Sequence, residues 1–112
     1  MQRGEIWLVN LDPTVGSEIR KARPAVIISS DLVGVLPLRV IVPFTDWKDR
    51  YSRALWMVRI DPDGQNGLVK SSAADGLQVR SISQQRLLQR LGVLSPAQVS
   101  RIVQAVLAVL QP

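Results

Sequence analysis

Cysteine and histidine are both missing from this chain of 112 residues. Without cysteine there are no disulfides, thiol nucleophiles or thiolate metal sites, a composition compatible with a reducing compartment. Without histidine the usual general base near neutral pH, and the commonest metal ligand, are gone. Any chemistry must run on carboxylates, hydroxyls, lysine or arginine. Long apolar runs are absent too. Ile6-Trp7-Leu8-Val9 is broken by Asn10 and Asp12, too soon for the apolar centre of a signal peptide. The longest apolar stretch near the end, within residues 102–110, is interrupted by Gln104. It falls far short of the ~20 residues that span a bilayer. The expectation is a soluble, cytoplasmic protein with no membrane partner.

What is present fits one domain over residues 1–112, with room for a single modest core. An enzyme of this size builds its site from few side chains or across a subunit interface. The net charge is +5, which suits a polyanionic partner as well as simple solubility. Eleven of the fourteen basic residues are arginine. A guanidinium fork meets phosphate oxygens two at a time, where an ammonium is a point charge.

The first two-thirds of the chain reads as short strands separated by turns. Gly4–Val9 is rich in β-branched and aromatic residues and ends at Asn10-Leu11-Asp12-Pro13. A polar loop follows from Thr14 through Ala22, and Pro24 opens Ala25-Val26-Ile27-Ile28-Ser29. That uninterrupted apolar run predicts burial on both faces. Leu38–Thr45 alternates as a third strand, and Asp46–Arg53 is polar, with a short helical turn. Ala54–Ile60 is a fourth strand, with two short ones at Leu68–Lys70 and Leu77–Arg80 around a Ser71–Gly76 connection.

Two helices close the reading. The first starts after Ser83 and runs through Leu87, Leu88 and Leu91 to Gly92. The second has Ser95 as cap, Pro96 at the first helical position and Gln98 completing a capping box. Its apolar residues Val99, Ile102, Val103, Val106, Leu107 and Leu110 form one face, to be covered by the sheet or by a second copy. Strands followed by helices predict an α+β domain, a curled antiparallel sheet whose natural closed form is a small SH3-like barrel, with a short helix and a C-terminal amphipathic helix.

No G-x-S-x-G elbow, P-loop or G-x-G-x-x-G occurs. The only close carboxylate pairs, Asp61/Asp63 and Asp46/Asp49, sit in turn-like segments where aspartate is normally structural, so neither a metal site nor a cofactor is expected. What remains is the loop Gly16-Ser17-Glu18-Ile19-Arg20-Lys21-Ala22-Arg23-Pro24, with three cations and one carboxylate. It is either a solvated basic loop or a polyanion contact, and it enters the following strand at Arg23.

Several stretches resemble the MazF/PemK toxins. They are Arg3-Gly4-Glu5-Ile6-Trp7, Asn10-Leu11-Asp12-Pro13 with Gly16-Ser17-Glu18, Ala22-Arg23-Pro24 running into Ser29, Val42-Pro43-Phe44-Thr45, and Gly76–Ser83. They occur in order along essentially the whole chain. The resemblance implies a sequence-selective, ribosome-independent endoribonuclease on an SH3-like barrel, acting as a homodimer and paired with a cognate antitoxin, expected to be acidic. It puts the family's catalytic arginine on Arg23 and its catalytic threonine on Thr45. The sequence departs from the commonest loop pattern, in which glutamine and glycine follow Gly-Ser-Glu; Ile19, Arg20 and Lys21 stand there instead, so substrate preference does not transfer.

The chemistry that follows is attack of an RNA 2′-hydroxyl on its own phosphodiester, leaving a 2′,3′-cyclic phosphate and a 5′-hydroxyl without a metal. Arg23 and Thr45 can donate to the non-bridging oxygens where charge gathers. A guanidinium is a poor base at neutral pH. Glu18 is therefore the candidate proton relay, or else a structural carboxylate bonding loop amides or Arg20. Single-stranded RNA also needs stacking platforms and cations, for which Trp47 and Lys48 are candidates beside Ser17, Arg20 and Lys21. Trp47 packing against the barrel is the alternative. Gln78 and Arg80 are candidates for RNA or antitoxin contact, or a plain surface pair. Two other functions stay open: a toxin of the same fold binding a protein such as DNA gyrase, and a catalytically silent nucleic-acid-binding barrel.

Overall fold

In the computed structural model, which describes residues 1–111, seven antiparallel strands form one curled sheet with a single α-helix packed on it. The strands are β1 (Glu5–Asn10), β2 (Ala22–Ile27), β3 (Leu38–Asp46), β4 (Met57–Ile60), β5 (Ser72–Asp75), β6 (Arg80–Ser83) and β7 (Leu87–Val93); the helix α1 spans Pro96–Leu110. The order across the sheet is β4-β5-β3-β2-β1-β7, with β6 also paired to β3. The α+β expectation holds, as a curled but open sheet.

β3 organises the site. It pairs with β2 along one side, while along the other it pairs first with β6 (Ile41 opposite Arg80) and then with β5 (Phe44 opposite Ala74). Pro43, which has no N–H to give, stands where β3 changes partner between β6 and β5. β2 and β3 are buried on both faces. Val26, Val42 and Phe44 join the core beneath α1, with Val99, Ile102 and Val106 of the helix, whereas Ala25, Ile27 and Ile41 join a second cluster with Val9, Leu11 and Ile82.

α1 follows its sequence signals. Ser95 Oγ accepts from the Gln98 amide at 3.2 Å and the Gln98 side chain accepts from the Ser95 amide at 3.0 Å, with Pro96 in the first turn. Val99, Ile102 and Val106 are buried, Val103 is half-buried, and Leu107 and Leu110 are exposed. The sheet therefore covers the N-terminal part of the apolar face only.

Five readings of local structure are corrected. The helix expected from Ser83 to Gly92 is a single 3₁₀ turn, Gln84–Arg86, followed by β7. Ser83 does cap that turn, through its Oγ and the Gln85 amide. The chain then extends because β1 has an edge to fill, and register shifts in the β1–β7 pairing give the leucines an uneven spacing that mimics a helix. Leu68–Lys70 is a loop, and the supposed connection Ser71–Gly76 contains β5. In place of a strand at Leu77–Arg80, a 3₁₀ turn, Gly76–Gln78, leads into β6. β4 is shorter than expected, starting at Met57 after a 3₁₀ segment at Asp49–Arg53. Among the described residues no helix is long and apolar enough to cross a membrane.

Candidate active site

β2 and β3 are in register from Ile27–Ile41 to Ala25–Pro43, and continuing that register by two residues sets Arg23 opposite Thr45. Beyond Ala25 and Pro43 the ladder ends and the strands part into a cleft of about 260 Å³. Arg23 and Thr45 both line it, with Pro24, Phe44, Asp46 and Ser72 from the strands and Gly67–Lys70 from the loop before β5. Directly opposite residues of an antiparallel pair lie side by side, so both stand at the mouth of the opening between the strand ends.

Arg23 is anchored at its backbone, paired across β1 with Val9, while its side chain is exposed. Among the described residues no carboxylate pairs with its guanidinium. Thr45 is half-buried opposite Ala73 on β5. The other cation of the cleft, Lys70, is paired: its Nζ lies 3.0 and 3.1 Å from the two carboxylate oxygens of Asp46. One arginine fork free of acid, one hydroxyl and one neutralised lysine make a cleft suited to an anion.

The other expected site residues fall elsewhere. Ser17, Glu18, Gln78 and Arg80 line a separate cleft of about 500 Å³ between the β1–β2 loop and the Gly76–Gln78 turn. Glu18 faces inward to its own loop, Oε1 accepting from the Val15 amide at 2.6 Å, so the structural alternative describes its carboxylate here. Gln78 clasps the same loop, accepting from the Ile19 amide and donating to the Ser17 carbonyl. Arg80 donates to the Leu11 carbonyl at 3.1 Å and fixes the end of β1. Arg20 and Lys21 are exposed on the loop.

The stem of that loop is held by Asp12. Its carboxylate accepts from the Lys21 amide and the Thr14 hydroxyl, both at 3.1 Å. The Lys21 bond, then the Thr14 bond and the nearby Arg20 and Lys21 charges, hold it below the usual carboxylate range. Lys21 adopts a left-handed conformation (φ 68°) to present that amide. Trp47 is half-buried rather than exposed. Tyr51 meets its ring edge-on at 5.9 Å and the Arg59 guanidinium covers the ring at 5.3 Å, so packing is the role visible in the fold. Lys48 is exposed.

Two residues of the cleft escaped the sequence reading, Lys70 and Asp46. Lys70 sits in what reads as a strand, and the pair spans 24 residues of chain, so no local pattern announces it. Among the described residues no group of three or more carboxylates is placed to hold a metal ion.

Residues 2–110 match the family model described as the PemK-like, MazF-like toxin of type II toxin–antitoxin systems. Endoribonuclease MazF9 of Mycobacterium tuberculosis (strain ATCC 25618 / H37Rv) is 33% identical over 111 residues, covering 94% of this chain and 92% of the relative. Endoribonuclease PemK of Escherichia coli is 42% identical over 65 residues, covering 57% and 49%. A MazF crystal structure from Deinococcus radiodurans superposes with a TM-score of 0.80 at 20% identity, covering 98% of this chain and 96% of that one. A mycobacterial endoribonuclease in complex with its cognate antitoxin gives 0.75 at 19%, covering 98% and 94%. Both solved structures share the fold of this chain.

Proposed function

The chain belongs to the PemK-like, MazF-like toxin family of type II toxin–antitoxin systems, and from that membership we propose an endoribonuclease that cuts at the Arg23–Thr45 cleft. The observation that carries the reading is that these two side chains line one cleft, with Arg23 free of any carboxylate partner among the described residues.

The reaction is transesterification within the RNA. The 2′-oxygen forms a bond to the adjacent phosphorus as the bond from phosphorus to the 5′-oxygen breaks; the 2′-hydroxyl loses its proton and the departing 5′-oxygen gains one. The products are a 2′,3′-cyclic phosphate and a 5′-hydroxyl. Charge gathers on the non-bridging oxygens, where Arg23 offers a fork of donors and Thr45 one more. A guanidinium is a poor base at neutral pH, so Arg23 acts as donor and not as base. No metal is required by these steps.

Single-stranded RNA is the substrate, drawn by the net charge of +5 and guided by exposed Arg20, Lys21 and Lys48. The partner is an acidic antitoxin segment that neutralises the same basic surface, in the cytoplasm where both meet RNA. The active form is a homodimer, supported by apolar side chains that the sheet leaves uncovered, Leu55, Leu77, Leu107 and Leu110.

Incubating the chain with single-stranded RNA in excess EDTA, and sequencing and chemically typing the fragment ends, tests the reading. Discrete cuts with cyclic phosphate and 5′-hydroxyl ends are expected. Fragments ending in 5′-phosphate would reject the mechanism. Binding without cutting would leave a silent nucleic-acid-binding barrel, and neither would leave a toxin aimed at a protein.

A further inference from the structure

Lys70 has its charge already committed to Asp46 within the Arg23–Thr45 cleft, and the manner of that commitment is informative. Its ammonium has three donors. Both carboxylate oxygens of Asp46 lie on one side of it, at 3.0 and 3.1 Å, which leaves donor capacity towards the cleft that both residues line with Thr45. Both partners are more than half exposed, so the pair adds little to stability. Its bearing on function is larger. Asp46 follows Thr45 directly, and an unneutralised carboxylate there would repel any phosphate approaching the threonine hydroxyl.

We propose that Lys70 is a second phosphate-binding cation of this cleft, kept in place by Asp46, and that it grips a phosphodiester next to the one being cut. The inference rests on the reading that RNA occupies the cleft. It assigns Lys70 to substrate binding and leaves the transition state to Arg23 and Thr45. Asp46 is then a positioning residue, holding a long flexible side chain at the cleft rim while spending only part of its donor capacity. A bystander lysine and a phosphate-binding lysine differ in one measurable way. The bystander matters only because Asp46 needs neutralising, so removing Asp46 should make it dispensable. A phosphate-binding lysine still matters when Asp46 is gone.

The test compares Asp46→Asn with the double variant Asp46→Asn/Lys70→Ala. Its probe is a 2′-O-methyl oligoribonucleotide carrying the mapped cleavage sequence, which cannot be cut. Affinity is measured across a salt series. If Lys70 binds phosphate, adding Lys70→Ala to Asp46→Asn lowers the salt slope by about 0.7 and weakens binding about fourfold near ~0.15 M salt, as for one lost single-strand phosphate contact. Asp46→Asn/Lys70→Arg retains the slope. In cleavage assays the loss falls on KM with kcat kept, as expected for a contact made equally in the ground and transition states. Equal affinity and slope in the first two variants would overturn the inference while leaving the nuclease reading intact. A wild-type chain that fails to bind the probe would remove both.

Discussion

Gln78 grips the β1–β2 loop with both ends of one amide, its Oε1 accepting from the Ile19 amide at 2.5 Å and its Nε2 donating to the Ser17 carbonyl at 3.2 Å. The loop carries Arg20 and Lys21, so this side chain sets where two other candidates for RNA contact sit. Gln78→Leu removes both bonds and leaves a part-buried amide without a partner, at a cost of about 1–3 kcal/mol. Hydrogen exchange of residues 15–21 should accelerate, and KM should rise more than kcat falls. Unchanged protection of the Ile19 amide would show that the clasp does not hold the loop.

Asp75 lies at the start of the same 3₁₀ turn, buried, its Oδ1 accepting from the Leu77 amide at 3.1 Å. Burial pushes its carboxyl above the ordinary value of 3.8, with hydrogen bonds from Leu77 and Gln78 pulling the other way. The folded chain therefore holds this proton more tightly than the unfolded chain. Stability is greatest at acid pH on this account, falls as pH rises through the folded-state value, and is level above it. Asp75→Asn keeps an acceptor for Leu77 and removes the titration. Its urea midpoint, compared with wild type, should gain as pH rises above the ordinary carboxylate value and then keep a constant lead. Parallel curves across that range would contradict a burial cost. Asp12 acts in the opposite sense: its lowered value contributes stability at neutral pH that is lost as the medium falls below 3.8.

Gly92 separates a strand from a helix end by experiment. As a residue ending a helix it would accept alanine at modest cost. In β7 a Cβ there would stand 2.2 Å from the Gln65 carbonyl oxygen and 2.5 Å from the Asn66 carbonyl carbon, because the loop after β4 crosses the strand at this point. Backbone must move to make room, so Gly92→Ala should destabilise by about 2–3 kcal/mol, the upper end for overpacking. A melting temperature equal to wild type would mean that the loop does not lie against β7.

The same segment shows what was legible in the sequence. Local rules sufficed where local chemistry decides: the Ser95–Gln98 capping box and the apolar stripe of α1, and the unbroken apolar run of β2. They failed where a distant partner decides. Ser83 and the leucines carry a helix signal, yet the edge of β1 draws Leu87–Val93 into the sheet. Ser72-Ala73-Ala74-Asp75 has little β character, yet it becomes β5 because small side chains fit between β3 and β4 with Ala73 and Ala74 wholly buried. The site divides likewise. Arg23 and Thr45 were reachable by resemblance, and their meeting follows from strand register. Lys70 and Asp46 meet only because the loop before β5 folds back on the end of β3, which no local spacing encodes.

Association is tested on the uncovered apolar surface. Leu55 is 80% exposed, and with Trp56, Leu77, Ala108 and Val109 it lines a hollow of about 320 Å³ beside the C-terminal half of α1. Sedimentation equilibrium of the wild-type chain should give twice the monomer mass. Leu55→Asp combined with Leu107→Asp should give a folded monomer, since both side chains already lie at the surface. A monomeric wild type, or a variant that still dimerises, would move the interface elsewhere.

The decisive variants are Arg23→Ala and Thr45→Val. Neither should disturb the fold: the Arg23 side chain is exposed, and valine keeps the shape of the half-buried threonine. In single-turnover cleavage each should lose about 10²–10³ in rate, the loss typical of one donor to a developing oxyanion. Because both donors serve the same phosphoryl oxygens, the double variant should lose less than the product of the two. Arg23→Lys restores charge without the fork and should recover only part of the rate. Full multiplicativity would mean that the two groups act at separate steps. A wild-type rate in either single variant would take that residue out of the chemistry, and the shared cleft would then be a binding site and not the place of cutting.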